Sequence, residues 1–236
     1  MGWDTVIAAL TPLDLAAVGV FLVFWLGISH IIEHPPKRRP STSQLMAEYR
    51  RIWMREFVTR EPRIFDSQIV ASLRQGTAFF ASASMIAIGG GLALLGNADQ
   101  LRGVAQDLTA SADPVVVWEL KLILMLIMAA NAFLKFVWSH RLFGYCSVLM
   151  AAVPNDASDP VAMPRAMKAA EVNITAARAY NRGLRAVYFG IASAAWLGGA
   201  IPLLLATVFT VAVIIRREFA SVSREVLLDT SDRTSS

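Results

Sequence analysis

Charge and cysteine are what this sequence has least of. Only 17% of its residues are charged, against roughly a quarter in an ordinary soluble domain, too few to cover a water-facing surface of this length. The single cysteine, Cys146, excludes an internal disulfide and excludes a cysteine cluster for zinc or for iron and sulfur. Residues 1–12 contain no Lys or Arg, whereas a secretory signal opens with a positive region, so this stretch is expected to remain uncleaved. No nucleic-acid motif accompanies the pI of ≈ 9.6, and no inverted repeat relates the halves of the chain.

What is present is apolar. Hydrophobic residues make up 56% of the chain and the mean hydropathy is +0.51. Four runs, at about 13–32, 77–95, 115–134 and 189–215, are each long enough to cross a hydrocarbon core of roughly 30 Å as a helix. The expected fold is therefore all-α, an integral membrane bundle of four transmembrane helices with amphipathic cytoplasmic helices. It forms a single membrane domain over 1–236, with connections 33–76 and 136–188 and a polar tail 216–236. Thr11, Pro12 and Asp14 read as the start of the first helix: a Thr cap, a proline at the first position and a carboxylate in the first turn.

The distribution of positive charge orients the spans. Nine Lys or Arg fall in 33–76 and six in 136–188, against Arg102 alone between spans two and three and four after span four. Juxtamembrane Lys and Arg stay cytoplasmic, so fifteen against five places both connections inside a cell (inner) membrane and both termini outside. Arg216 and Arg217, directly after span four, favour the opposite side for the tail. A re-entrant fourth segment around Gly198, Gly199 and Pro202 would reconcile them.

Both connections carry helical patterns. After Pro35, Pro36 and Pro40, apolar positions recur at Leu45, Met46, Tyr49, Ile52, Trp53 and Phe57, with Glu48, Arg51 and Arg55 opposite. That predicts an amphipathic helix on the inner membrane face or packed under the spans. A second helix is expected to begin near Asp66 as its cap and to feed span two, and another runs from beyond Pro164 without a break into span four. In the latter, Arg178, Arg182 and Arg185 share one face, which reads either as an anchor at the inner interface or as a forked-donor site for phosphate or carboxylate.

Span three is interrupted by Glu119, Lys121, Asn131 and Lys135. Snorkelling in opposite directions would extract the two amines from the hydrocarbon, and Asn131 is placed to bond across to a neighbouring helix. Ala83, Ala87 and Gly91 in span two, and Gly190, Ala194 and Gly198 in span four, form small-residue faces. Such faces let backbones approach, with the other span or a second copy as the partner. His30, Glu33 and His34 match H-x-x-E-H, the order of inverted zinc proteases, but Pro35 draws His34 out of helical geometry and a further ligand is missing.

Several strings in order along the chain resemble an uncharacterised membrane family, domain of unknown function 599. They are Arg51-Ile52-Trp53-Met54, Arg63-Ile64-Phe65-Asp66, Phe79-Phe80-Ala81-Ser82, Lys135 through Arg141, and Tyr180 through Arg185. The resemblance implies a four-span membrane protein and carries no activity with it. Its polar positions gather at the inner ends of the spans, where Glu48, Glu56, Glu61, anionic headgroups or a bound anion would balance the cations.

The function expected on these grounds is a non-enzymatic membrane protein that self-associates and collects anionic phospholipid or another anion at a basic inner end. Arg51, Arg63, Arg141, Arg178, Arg182 and Arg185 are the candidate residues. The alternatives are an oligomeric channel or carrier using the polar residues of span three, and a metal-dependent hydrolase at His30, Glu33 and His34. No cofactor and no nucleic-acid partner are expected.

Overall fold

The computed structural model describes residues 9–36, 38–100, 103 and 114–229. Residues 1–8, Lys37, Arg102 and the tail beyond 229 lie outside the described residues. The elements are α1 (Pro12–Glu33), α2 (Thr42–Thr59), α3 (Ile64–Leu95), α4 (Val115–Ala151), α5 (Ala162–Ala194), a short 3-10 turn (Ala195–Gly198), α6 (Ala200–Phe219) and α7 (Val222–Leu228). The fold is all-α, with no strand among the described residues. Four stretches are long and apolar enough to cross a membrane: Pro12–Glu33, Ile64–Leu95, Val115–Ala151 and Ala200–Leu228.

The helix starts follow local chemistry. Thr11 accepts from the Asp14 amide at 3.1 Å and donates its hydroxyl to the Asp14 carboxylate at 2.6 Å, the reciprocal cap expected for α1. Ser41 caps α2 by accepting from Gln44 N–H at 3.3 Å and also donates to the Ile32 carbonyl at 3.0 Å. α3 begins at Ile64, ahead of its expected start. Asp66 is not its cap but a buried first-turn residue whose carboxylate accepts from the Trp53 indole at 2.7 Å and from Arg60.

The fourth span differs from expectation. The run 189–215 is not one helix, because α5 ends at Ala194 and the chain breaks at Gly199, whose φ of 110° is open only to glycine. Tyr188, Ile191 and Ala192 of α5 line one cleft with Ala206, Phe209, Thr210 and Val213 of α6, as in an antiparallel helical pair. The tail follows from this turn. The Glu218 carboxylate accepts from the Ser43 amide at 3.1 Å and the Ser43 hydroxyl at 2.9 Å, and Arg224 donates to the Pro40 carbonyl at 3.0 Å. The tail thus lies beside the first connection and not opposite it, as the position of Arg216 and Arg217 favours.

Contacts group the chain into two compact units. The first comprises Met1–His30, Ser82–Phe133 and Leu184–Ile214, and the second Ile31–Ala81, Leu134–Gly183 and Ile215–Ser236. In the first unit a Cβ on Gly91 of α3 would meet Leu126 of α4 at 2.7 Å, and one on Gly190 of α5 would meet Met128 of α4 at 3.3 Å. Gly91 and Gly190, one from each small-residue face, therefore meet α4 rather than each other. Ala83 and Ala87 are exposed, Ala194 is half-buried, and Gly198 meets only Pro202 of its own turn.

In the second unit α4 and α5 run antiparallel at close range. Ser139 donates to the Ala176 carbonyl at 2.8 Å and the Cys146 thiol to that of Ala169 at 3.5 Å. Ala162, Ala166, Ala169, Ala170, Ala176 and Ala179 are all buried, and α2 adds Met54, Phe57 and Val58 to the same core. α2 is thus amphipathic and packs on protein, through a face containing Ala47 and Met54, while Met46 is exposed. Gly183 sits against the buried Phe136 ring, which stacks on Phe80 at 5.3 Å and lies 5.6 Å from Tyr180.

Two glycines carry distinct steric demands, and both are open to test by thermal unfolding of the purified protein in detergent. Gly199→Ala is expected to cost roughly 1–3 kcal/mol through the backbone. Gly183→Ala, whose Cβ would come 2.6 Å from the Phe136 ring, is expected to cost about 1–3 kcal/mol through overpacking. Gly27→Ala, with nothing within 4 Å, should leave the midpoint unchanged or raise it.

Candidate functional site

The six arginines singled out by sequence do not form one cluster. Arg51 pairs with Glu171 at 2.7 Å and with Glu48 at 3.2 Å, and the Glu171 hydrogen bond raises its pKa. Arg182 pairs with Glu33 through both carboxylate oxygens, its Nε donating at 2.8 Å, and that bond raises its pKa as well. Arg185 is only 5% exposed and donates its Nε to Ser29 at 3.0 Å. Arg63 clamps carbonyls, donating to Val153 at 2.8 Å, Pro154 at 2.7 Å and Val58 at 3.1 Å, with the Phe57 ring beneath it. Arg141 lies exposed between Trp138 and Tyr145. The shared face of Arg178, Arg182 and Arg185 is thus divided among different neighbours. Of the counterions, Glu48 was anticipated, while Glu33 and Glu171 were not.

Arg178 instead lines a cleft of ≈ 470 Å³ in the second unit, together with Arg50. α2 contributes Thr42, Ser43, Met46, Ala47 and Arg50 from its first turns. α3 contributes Ser72, Leu73 and Gly76, α4 contributes Phe143, and α5 contributes Ile174, Ala177, Arg178, Tyr180 and Asn181. Glu218 closes one side, held by Ser43, which also accepts from the Asn181 amide at 3.4 Å.

The electrostatics of this cleft are unbalanced. Arg50 hydrogen-bonds to a neutral group, the Asn173 carbonyl oxygen, and burial pushes its pKa below the ordinary guanidinium value. Asn173 is fixed in turn by its amide against the Cys146 sulfur at 3.5 Å. Arg178 is exposed at the rim. Neither arginine has a carboxylate within ion-pair distance among the described residues. A guanidinium brought out of bulk water without a counterion favours an incoming anion, and the fork of N–H donors suits phosphate or carboxylate.

An α2 pattern phased on Met46 and Tyr49 leaves Arg50 off the packed side. Phased on Ala47, Met54 and Phe57, the same pattern places Arg50 on the buried stripe, where a lone arginine is conspicuous.

The polar residues of span three are not gathered together. Lys121 is 1% exposed, its amine 4.7 Å from the centre of the Trp118 ring. Glu119, Asn131 and Lys135 are half-buried. Asp14, in the same unit, accepts from the Trp196 indole at 2.8 Å. As for the metal motif, Glu33 is engaged by Arg182, and the described residues contain no group of three or more His, Cys, Asp or Glu able to hold a metal ion.

The contrast between the buried and the exposed arginine contacts is measurable by thermal unfolding. Asn173→Ala removes the acceptor of Arg50 and is expected to cost roughly 1–3 kcal/mol. Glu171→Ala breaks a pair whose side chains are 31% and 56% exposed, and should change stability by less than about 1 kcal/mol.

No curated protein and no solved structure matches this chain. Residues 16–223, which contain every string that carried the family resemblance, match the family described as "Protein of unknown function, DUF599", and the chain belongs to that family of multi-pass membrane proteins.

Proposed function

We propose that this protein is a non-enzymatic membrane protein whose second unit faces the cytoplasm and holds a phosphate- or carboxylate-bearing anion in the Arg50–Arg178 cleft. The observation that carries the reading is the pair of arginines lining one cleft with no carboxylate within ion-pair distance of either among the described residues. Its size suits a headgroup or a small soluble anion. The orientation is supported by charge: nineteen of the twenty-two Lys and Arg fall in the stretches of the second unit, and only Arg102, Lys121 and Arg185 in those of the first. An anionic leaflet attracts such a surface by about 1 kcal/mol per basic residue near it.

Retention of phosphatidylglycerol by the purified protein, read by native mass spectrometry, tests the site. Arg178→Glu is expected to lower retention tenfold or more, while Arg182→Ala, already committed to Glu33, leaves it nearly unchanged. Unchanged retention in Arg178→Glu would refute the cleft as the site. Competition by inorganic phosphate separates a soluble anion from a lipid headgroup.

Self-association belongs to the same reading. Ala83 and Ala87 remain exposed on α3, leaving their close-packing face to a second copy. Ala83→Leu with Ala87→Leu is expected to shift the protein towards the monomer in light scattering from detergent solution.

A further inference from the structure

Hydropathy ends the third span at Leu134, yet α4 continues unbroken from Val115 to Ala151, 37 residues and about 55 Å of helix, well beyond the roughly 30 Å of a hydrocarbon core. Its part in the second unit buries Phe136, Ser139, Phe143 and Cys146. The outward positions Leu134, Trp138, Arg141, Tyr145 and Val148 recur at alternating intervals of four and three, and so form one stripe. Trp138 is 47% and Tyr145 45% exposed. The one charge on the stripe, Arg141, donates to the Tyr145 hydroxyl at 2.8 Å, with its guanidinium 5.9 Å from the rings of both aromatics.

We propose that Trp138, Arg141 and Tyr145 form a contact with the inner-leaflet headgroup layer, with Arg141 on lipid phosphate and the bilayer extending about 11 residues past the apolar run. Trp and Tyr collect where one end of a ring is wet and the other is in hydrocarbon, and a guanidinium between them has the forked donors for a phosphodiester. The aliphatic stripe continues into this patch without a break in the helix.

A neighbouring helix supports the level independently. His140 Nδ1 lies 3.3 Å from the Thr77 hydroxyl and 3.3 Å from the Arg74 carbonyl, which aligns that turn of α4 with the turn of α3 at Arg74–Thr77. At that turn the outward side of α3 changes from Ala78 and Phe79 to Gln75, Arg74 and Gln68. The outward side of α3 thus turns polar at the height of Arg141, one residue beyond His140 on α4. From Lys121, near the outer end of α4, to Arg141 is twenty residues, or about 30 Å, the thickness of the hydrocarbon. None of this depends on the Arg50–Arg178 cleft.

Nitroxide labels at Leu134→Cys, Trp138→Cys, Tyr145→Cys and Val148→Cys, each in a Cys146→Ala background in phosphatidylglycerol and phosphatidylcholine vesicles, test the inference. If Cys146→Ala lowers the yield, the buried Cys146 is retained and the unmutated chain, treated with the same label, serves as the blank. Power saturation should favour oxygen over a water-soluble nickel chelate several-fold at 134 and 138, with the preference falling to parity near 145 and reversing at 148. Equal nickel access at 138 and 148 would overturn the proposal. So would low access to both relaxants with spin–spin broadening at 138 and 145, since a second copy would then cover the stripe.

Discussion

A peptide group in hydrocarbon can bond only to its own segment or to a partner brought with it, and every other choice this chain makes is subordinate to that requirement. The apolar stretches are helices throughout, and the one interruption among them keeps its backbone satisfied. At Gly199 the amide donates to the Trp196 carbonyl at 2.8 Å, and its own carbonyl accepts from Leu203 at 3.3 Å. The break is a turn with closed bonds, which is why it can stand in an otherwise apolar run.

The same requirement makes close approach between helices a matter of small side chains, since hydrocarbon supplies no hydrophobic drive for association. α4 serves as the common surface in the first unit, receiving Gly91 from α3 and Gly190 from α5. In the second unit, alanines of α5 bring its carbonyls within reach of Ser139 and Cys146. Polar bonds made on such a surface are short and local, and they leave the arginines to be satisfied by whatever lies alongside: Glu33, Glu171, backbone carbonyls, or for Arg50 a neutral amide.

Three spans were legible in the sequence because length and hydropathy alone define them. The fourth was not, because an apolar window averages over a break, and the signal at Gly199 and Pro202 is local. A shared helical face is geometry that sequence shows, but not the neighbours along it: Arg182 meets Glu33, Arg185 meets Ser29 and Arg178 lines the cleft. The cleft was hidden for a similar reason. Its residues come from separate elements, and only the phase of α2, set by a small Ala47 and not by the larger Met46, betrays Arg50. The alanines of α5 were invisible as a packing face because they lie in a stretch of low average hydropathy, where burial comes from the partner helix.

The reversal at Gly199 also bears on how the polypeptide reaches its place. The end of α5 carries the buried Arg185 and lacks the apolar length of a self-sufficient insert, whereas α6 has that length. Partitioning of this part into hydrocarbon would therefore fall to the pair together, with α6 supplying the apolar length that the end of α5 lacks.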